Sequence, residues 1–224
     1  MLPLEKTTGY THHVPAPCDD EVEILFADEH ILVVVKPAGL LSVPGRIVKD
    51  CVLQRMQTQY PDVRIVHRLD LDTSGLLVLS LSDLSTSDLN RQFRERQINK
   101  QYVAMVFGQM QEDSGEIDLP LSPDPDNRPR QRVDYAGGKS ALTKYERLLV
   151  SEDSTRVLLR PVTGRSHQLR IHLSEIHHPI LGCDLYAHEA ALSAATRLCL
   201  HASQLEFTHP ASREMLCFES AVPF

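Results

Sequence analysis

The sequence predicts an α/β (α+β) chain folded as one domain. Short runs rich in aliphatic and β-branched residues alternate with segments of helical period. The 224 residues are 42% hydrophobic, enough for one sizeable core or two modest ones. No repeat, heptad or linker divides residues 21–224.

The elements follow in order. Residues 1–20 read as a flexible acidic arm, with Pro3, Pro15 and Pro17 and little periodicity. VEILFAD (22–28) and ILVVVK (31–36) read as strands joined at Glu29-His30. KPAGLLSVPGR, with two prolines and two glycines, reads as a loop, and residues 50–60 as a helix. VRIVHRL and GLLVLSL read as strands on either side of a turn at Asp72–Gly75. A helix is expected over 85–98, with Leu89, Phe93 and Ile98 facing the core, followed by the strand QYVAMVFG. GEIDLPLSPDPDNRPRQRVDYAGGKS is a long Pro- and Asp-rich excursion, of the kind that is functional or disordered in compact domains. KSALTKYERLLV and TRVLLRPV read as strands. SHQLRIHLSEI reads as a helix opened by Ser166 after Gly164, and LCLHASQLEFTHP and EMLCFESAVP as closing strands.

Composition excludes several classes. No apolar run approaches the roughly 20 residues of a membrane span, and the first residues lack the basic start and apolar core of a signal peptide. Cys18, Cys51, Cys183, Cys199 and Cys217 are odd in number and form no C-x-x-C pair. Reduced thiols in a cytoplasmic protein are expected, with neither a disulfide framework nor a zinc site.

The net charge of −7 is unevenly spread: residues 1–30 carry −6 of it. Bases cluster in RQFRERQINK (91–100), NRPRQRV (127–133) and GRSHQLR (164–170). Local positive patches, not net charge, set the footprint for a phosphate backbone. RQFRERQINK by itself reads as an ordinary solvated helix face. NRPRQRV, with three arginines beside Pro129 and little helical character, is harder to read that way.

VHRLDLDTSG, Val66 to Gly75, crowds His67, Arg68, Asp70 and Asp72 between apolar segments, where charges are costly unless paired, hydrogen-bonded or set in a cleft. Paired glycosidase carboxylates would need an extended strand, and DTSG turns. A metal site lacks an H-E-x-x-H spacing or a Cys pair, although His167, His172, His177 and His178 follow later. Asp72 and Thr73 suit a side-chain-supported turn. Arg68 and Asp70, two apart on a strand, would point the same way. A carboxylate beside a guanidinium stays ionised and serves as nucleophile or base, not as acid. His67, on the opposite face, reads as a structural histidine.

HRLDLDTSGLLVL resembles the catalytic motif of the RluA family of pseudouridine synthases. The resemblance runs over nearly the whole chain from about Glu23, through ILVVVKPAGLLSVPGR, KQYVA, PVTGRSHQLRIH, HPILGCDLYA and LCLHASQLEFTHP. LLSVPGR, FRERQINKQYVA and DNRPRQRV are most similar to members acting on both a tRNA anticodon stem-loop and a 23S rRNA hairpin. Many relatives carry an S4 RNA-binding domain, for which this chain leaves no room.

The resemblance implies a mixed, mostly antiparallel sheet flanked by helices and loops, with an RNA-binding cleft. It implies that Asp70 is the catalytic aspartate, acting at ribose C1′ or C2′ while uridine is isomerised. Tyr102 would pack on the uracil, Arg165 would pair with Asp70, and Leu169 would line the base pocket. Arg68 would fill the gap left by a flipped base. Arg128, Arg130, Arg132, Arg91, Arg94 and Arg170 are expected to contact RNA. No metal or cofactor is required. The expected partners are tRNA and/or 23S rRNA, with the protein acting as a monomer. A non-catalytic RNA-binding module or a glycoside hydrolase are the competing classes; the first would not need Asp70, and the second would need a carboxylic acid partner.

Overall fold

The computed structural model describes residues 15–224. Most of the expected acidic arm, residues 1–14, lies outside the described residues. Its last part is tied to the domain: Arg55 donates to the Cys18 carbonyl and, at 2.6 Å, to the Asp20 carbonyl.

One ten-stranded sheet organises the chain. Its strands are β1 (Glu23–Ala27), β2 (Ile31–Lys36), β3 (Arg64–Ile65), β4 (Ser74–Ser80), β5 (Asn99–Phe107), β6 (Ser114–Asp118), β9 (Leu142–Val150), β10 (Ser154–Pro161), β11 (Leu200–Thr208) and β12 (Met215–Glu219). A separate hairpin joins β7 (Leu121–Pro123) to β8 (Gln131–Val133). The order along the main sheet is β1-β2-β4-β11-β5-β10-β9-β6, with β3 beside β4 and β12 beside β11. Among the described strands every pairing is antiparallel except β4 with β11.

β2 and β4 read as continuous apolar runs because both of their faces are covered. Leu32, Val34, Leu77 and Leu79 pack toward α1 (Val52–Gln57); Ile31, Val33, Leu76 and Val78 pack toward Leu89 of α2 (Asp83–Arg94). A further core forms where Ala104, Val106, Val157 and Leu159 meet Leu169 and Leu173 of α3 (Gln168–Glu175). A short α4 spans Glu189–Ser193, which the sequence reading did not contain. No described helix is long and apolar enough to cross a membrane.

The fold corrects several expectations. The helix expected over 85–98 starts at Asp83, because Ser82 and Ser85 form a reciprocal capping box. It ends at Arg94 because Arg96 takes a left-handed φ of 58°. VRIVHRL is a strand only at Arg64–Ile65; residues 66–73 form a loop, so Arg68 and Asp70 do not share a strand face. The turn there runs from Asp70 to Thr73, whose N–H donates to the Asp70 carbonyl at 3.2 Å. The 114–140 excursion is not structureless: β6 extends the main sheet beside β9, and β7–β8 is a hairpin. Ser166 does not cap α3, since the N-cap is His167 with no side-chain cap bond. Instead the Gln168 side chain accepts from the Arg165 N–H at 3.0 Å and from the Thr163 hydroxyl at 2.7 Å.

Candidate active site

The site begins with how the loop bearing Asp70 is held. Its two neighbours are both pinned by the KPAGLLS loop. The Ser42 hydroxyl accepts from the Leu69 N–H at 3.1 Å and donates to the Leu69 carbonyl at 2.8 Å. The Leu71 carbonyl accepts from Lys36 Nζ at 2.8 Å and from the Gly39 N–H at 3.0 Å. Lys36 is wholly buried, and its ammonium also donates to the Leu40 and Pro37 carbonyls at 2.7 and 2.8 Å. Burial pushes Lys36 down to about 7, against the pull of the nearby Asp72 and Asp70 carboxylates. Three carbonyl acceptors match the three hydrogens of an ammonium, so the cage suits the charged form. On the far side of the turn, Gly75 has a φ of +114°, and a Cβ there would lie 2.3 Å from the Ala202 carbonyl oxygen of β11.

Asp70 therefore projects from a fixed loop into a cleft of about 370 Å³. The cleft wall includes Arg68, Tyr102, Arg165, His167, Leu169 and Arg170. Tyr102 stands on β5 opposite Ala202 and Leu159. Burial, and then the Asp70 carboxylate, push its phenol above the usual range, so the ring faces the cleft as a neutral hydrogen-bond donor. Leu169 is 6% exposed and bridges the cleft to the core. Arg68 is exposed, with Nη2 donating to the Ser166 hydroxyl at 3.3 Å.

His67 is structural in geometry. Its Nε2 accepts the Val78 N–H at 3.0 Å, and its ring lies 4.5 Å from the Phe93 ring. Burial, with Lys100 nearby, pushes it down to about 3. The unfolded chain takes up this proton near pH 6.5, the folded chain only near 3. Its contribution to stability is thus intact above pH 6.5 and is lost as pH falls toward 3, at about 1.4 kcal/mol per pH unit. Urea titrations between pH 7 and 4 should show a shallower acid loss in His67→Gln than in the wild type. Parallel slopes would exclude His67 as the source.

Two arginine assignments change. Arg165 lines the cleft, but its Nε donates to the Ser140 carbonyl at 3.1 Å, and no ion pair joins it to Asp70. Arg170, expected to contact RNA, is 3% exposed and sits in the cleft wall rather than on the outer surface. Its guanidinium donates to Asp184 and, at 3.3 Å, to Cys183 Sγ, and the Asp70 carboxylate adds to the forces holding it protonated. Arg170 thus lines the cleft with Asp70, while its ion pair is made with Asp184.

The other arginines fall into two groups. Arg91 is paired with Asp88 and Glu95, both at 2.9 Å, and Arg94 sits 3.8 Å from Glu95. These exposed pairs at the end of α2 match a solvated helix face, with Arg94 largely exposed. Arg128, Arg130 and Arg132 are exposed on the β7–β8 hairpin. Arg128 and Arg130 line a second cavity, about 680 Å³, together with Asp70, Arg46 and Ile47. Arg132 is set toward Asp124 and Asp134, whose carboxylates feel its charge.

Residues 30–175 match the RNA pseudouridylate synthase family. The chain belongs to that family. This pseudouridine synthase is 49% identical over 211 residues to the dual-specificity RNA pseudouridine synthase RluA of Salmonella typhi, covering 93% of this chain and 96% of the relative. It is 53% identical over 190 residues to the protein of the same name from Yersinia pestis, covering 84% and 92% of the two chains. Among solved structures, human RNA pseudouridylate synthase domain containing 1 superposes with a TM-score of 0.79 at 26% identity, covering 94% of this chain and 87% of that one. The mixed, mostly antiparallel sheet expected of the synthase is the sheet observed. Sequence reasoning gave Lys36 and Ser42, which hold the Asp70 loop, and His167, which lines the cleft, no part in the site. Their partners lie far along the chain, 27 residues from Ser42 to Leu69 and 35 from Lys36 to Leu71, so no local pattern marks them.

Proposed function

We propose that this synthase converts uridine to pseudouridine in stem-loops of both tRNA and 23S rRNA, with Asp70 as the catalytic group. The observation that carries the reading is the carboxylate of Asp70, held on a pinned loop at the meeting point of three cavities, two of which the buried Arg170 also lines. In the reaction the C1′–N1 bond breaks, the uracil turns over, C5 bonds to C1′, and the C5 proton leaves. The carboxylate serves either by attacking C1′ or by removing the C2′ proton. Arg170 holds compensating charge at Asp70, and Leu169 with Tyr102 forms the slot for a flipped uracil. Arg68, with its weak bond to Ser166, is free to enter the space the base vacates. The dual RNA specificity rests on the two relatives that carry it in name.

Tritium at uridine C5 is the direct test, since isomerisation replaces that C–H bond. Wild-type protein should release label from an anticodon stem-loop and from a 23S rRNA hairpin. Release from one alone would restrict the substrate, and release from neither would refute the reading.

The RNA grip is assigned to the arginine hairpin. Arg128→Ala with Arg130→Ala should flatten the log–log salt dependence of binding by about 1.4 to 1.8, at 0.7–0.9 per lost phosphate contact. Arg132→Ala should change it less, because two carboxylates already face that charge. Affinity measured against potassium chloride decides this; an unchanged slope in the double variant would move the RNA off the hairpin.

A further inference from the structure

One partly buried tyrosine touches both halves of this arrangement. Tyr186 lies in the loop after α3, packed against the cluster of Leu121, Ala141 and Ile171, beside Val133 of the hairpin. Its hydroxyl accepts the backbone N–H of Gln131, the first residue of β8, at 2.9 Å. The same oxygen lies 2.7 Å from His167 Nδ1. Burial pushes Tyr186 up to about 12, so the hydroxyl keeps its proton. Gln131 already supplies one hydrogen to the oxygen; where the phenol's own hydrogen goes to Nδ1, His167 carries its proton on Nε2.

His167 is held in a left-handed conformation, φ 56°, at the start of α3. Such a backbone in a residue other than glycine persists only where its surroundings enforce it. It lines all three cavities that Asp70 lines, and the Asp70 carboxylate acts on its charge. The tyrosine ring makes a second link. The guanidinium carbon of Arg130 lies 5.3 Å from its centroid and that of Arg170 5.5 Å. Arg130 belongs to the exposed hairpin, and Arg170 is a buried charge that lines two of the cavities together with Asp70.

We propose that Tyr186 is a positioning residue that couples seating of RNA on the β7–β8 hairpin to alignment of His167 and Arg170 around Asp70. Two routes run through it: Gln131 to the hydroxyl to His167, and Arg130 to the ring to Arg170. A phosphate drawing Arg130 and the hairpin inward moves the hydroxyl's donor and one of the ring's two cations together. The proposal rests on Asp70 being the reacting group.

The test uses full-length Tyr186→Phe, His167→Asn and the double variant on a stem-loop RNA. Phenylalanine keeps the ring and both cation contacts but loses the hydroxyl. Asparagine tolerates the left-handed backbone but is too short to reach residue 186. Each single variant should lower kcat at saturating RNA by about tenfold to a hundredfold, as expected of misaligned reacting groups, with Kd within about threefold of wild type. The double variant should be no slower than the slower single, because the pair acts as a unit. In ¹⁵N spectra, the Nε2–H tautomer of His167, assigned by its absence from His167→Asn, should be lost or mixed in Tyr186→Phe.

A lower melting temperature with unchanged kcat would reduce Tyr186 to a packing residue and overturn the coupling. So would an effect confined to Kd. If Tyr186→Phe fails to fold, His167→Asn, which leaves the ring packed, carries the same comparison. Asp70→Asn run alongside separates the two claims. Turnover by that variant would remove the site reading itself, whereas a dead Asp70→Asn with wild-type kcat in the other variants would remove only the coupling.

Discussion

Asp70→Asn protein is expected to fold, to bind stem-loop RNA as the wild type does, and to release no tritium from C5-labelled uridine. The substitution is nearly isosteric, and the pins on its neighbours run to their backbone from the Ser42 hydroxyl, the Gly39 N–H and the Lys36 ammonium, without involving the carboxylate. On the proposed reading, what is lost is the negative oxygen that attacks C1′ or takes the C2′ proton. The fall should be on the order of 10⁴-fold or more, the scale of deleting a nucleophile or general base. Asp72→Asn provides the contrast. Asp72 faces the charges of Lys36 and Arg197 behind the loop, so its loss should cost stability more than chemistry. Equal inactivity of two folded variants would revive a paired-carboxylate mechanism.

The second large effect is expected at Arg170 and not at Arg165. Arg170→Met removes a buried guanidinium that binds Asp184 and Cys183 and holds positive charge near Asp70. Loss of a fixed charge in a desolvated site costs about 10²- to 10³-fold in kcat. Arg165→Ala breaks a bond to the Ser140 carbonyl at the cleft edge, and should change kcat by less than about tenfold, acting mainly on KM. Single-turnover kinetics on one stem-loop RNA ranks the two directly. The reverse order would return the pairing with Asp70 to Arg165.

The surroundings of these two arginines show where sequence reading stops. β2, β4, β5, β10 and β11 were legible because aliphatic runs of strand length admit few other readings. The motif around Asp70 was legible by resemblance, but its backbone was not. VRIVHRL has the composition of a strand, yet Leu69 reaches the core from a loop where its own N–H and carbonyl are paired with the Ser42 hydroxyl. Arg170 was misread for a related reason. In α3 every residue from Gln168 to Leu173 is buried, so no polar face distinguishes an inward arginine from an outward one. The hairpin was hidden inside a Pro-rich segment because β7 and β8 have three residues each, too few for a period.

The place of β11 in the sheet has a consequence for how the enzyme is made. Asp70 precedes β4 and Tyr102 stands on β5, but these strands do not touch: β11 lies between them, parallel to one and antiparallel to the other. Residues 200–208 are thus the central plank of a platform whose two flanking blocks are synthesised before it. A nascent chain emerging in order can form the β1-β2-β4 meander and the β5-β10-β9-β6 block as two separate halves, each with an open strand edge. The two can join only when β11 arrives to zip them. Until then the chain holds Asp70 and Tyr102 without a shared cleft, and cannot act on RNA. The long sequence separation of β4 and β11 also makes this closing step slow relative to local pairing, and leaves both edges exposed to misassociation while it is pending.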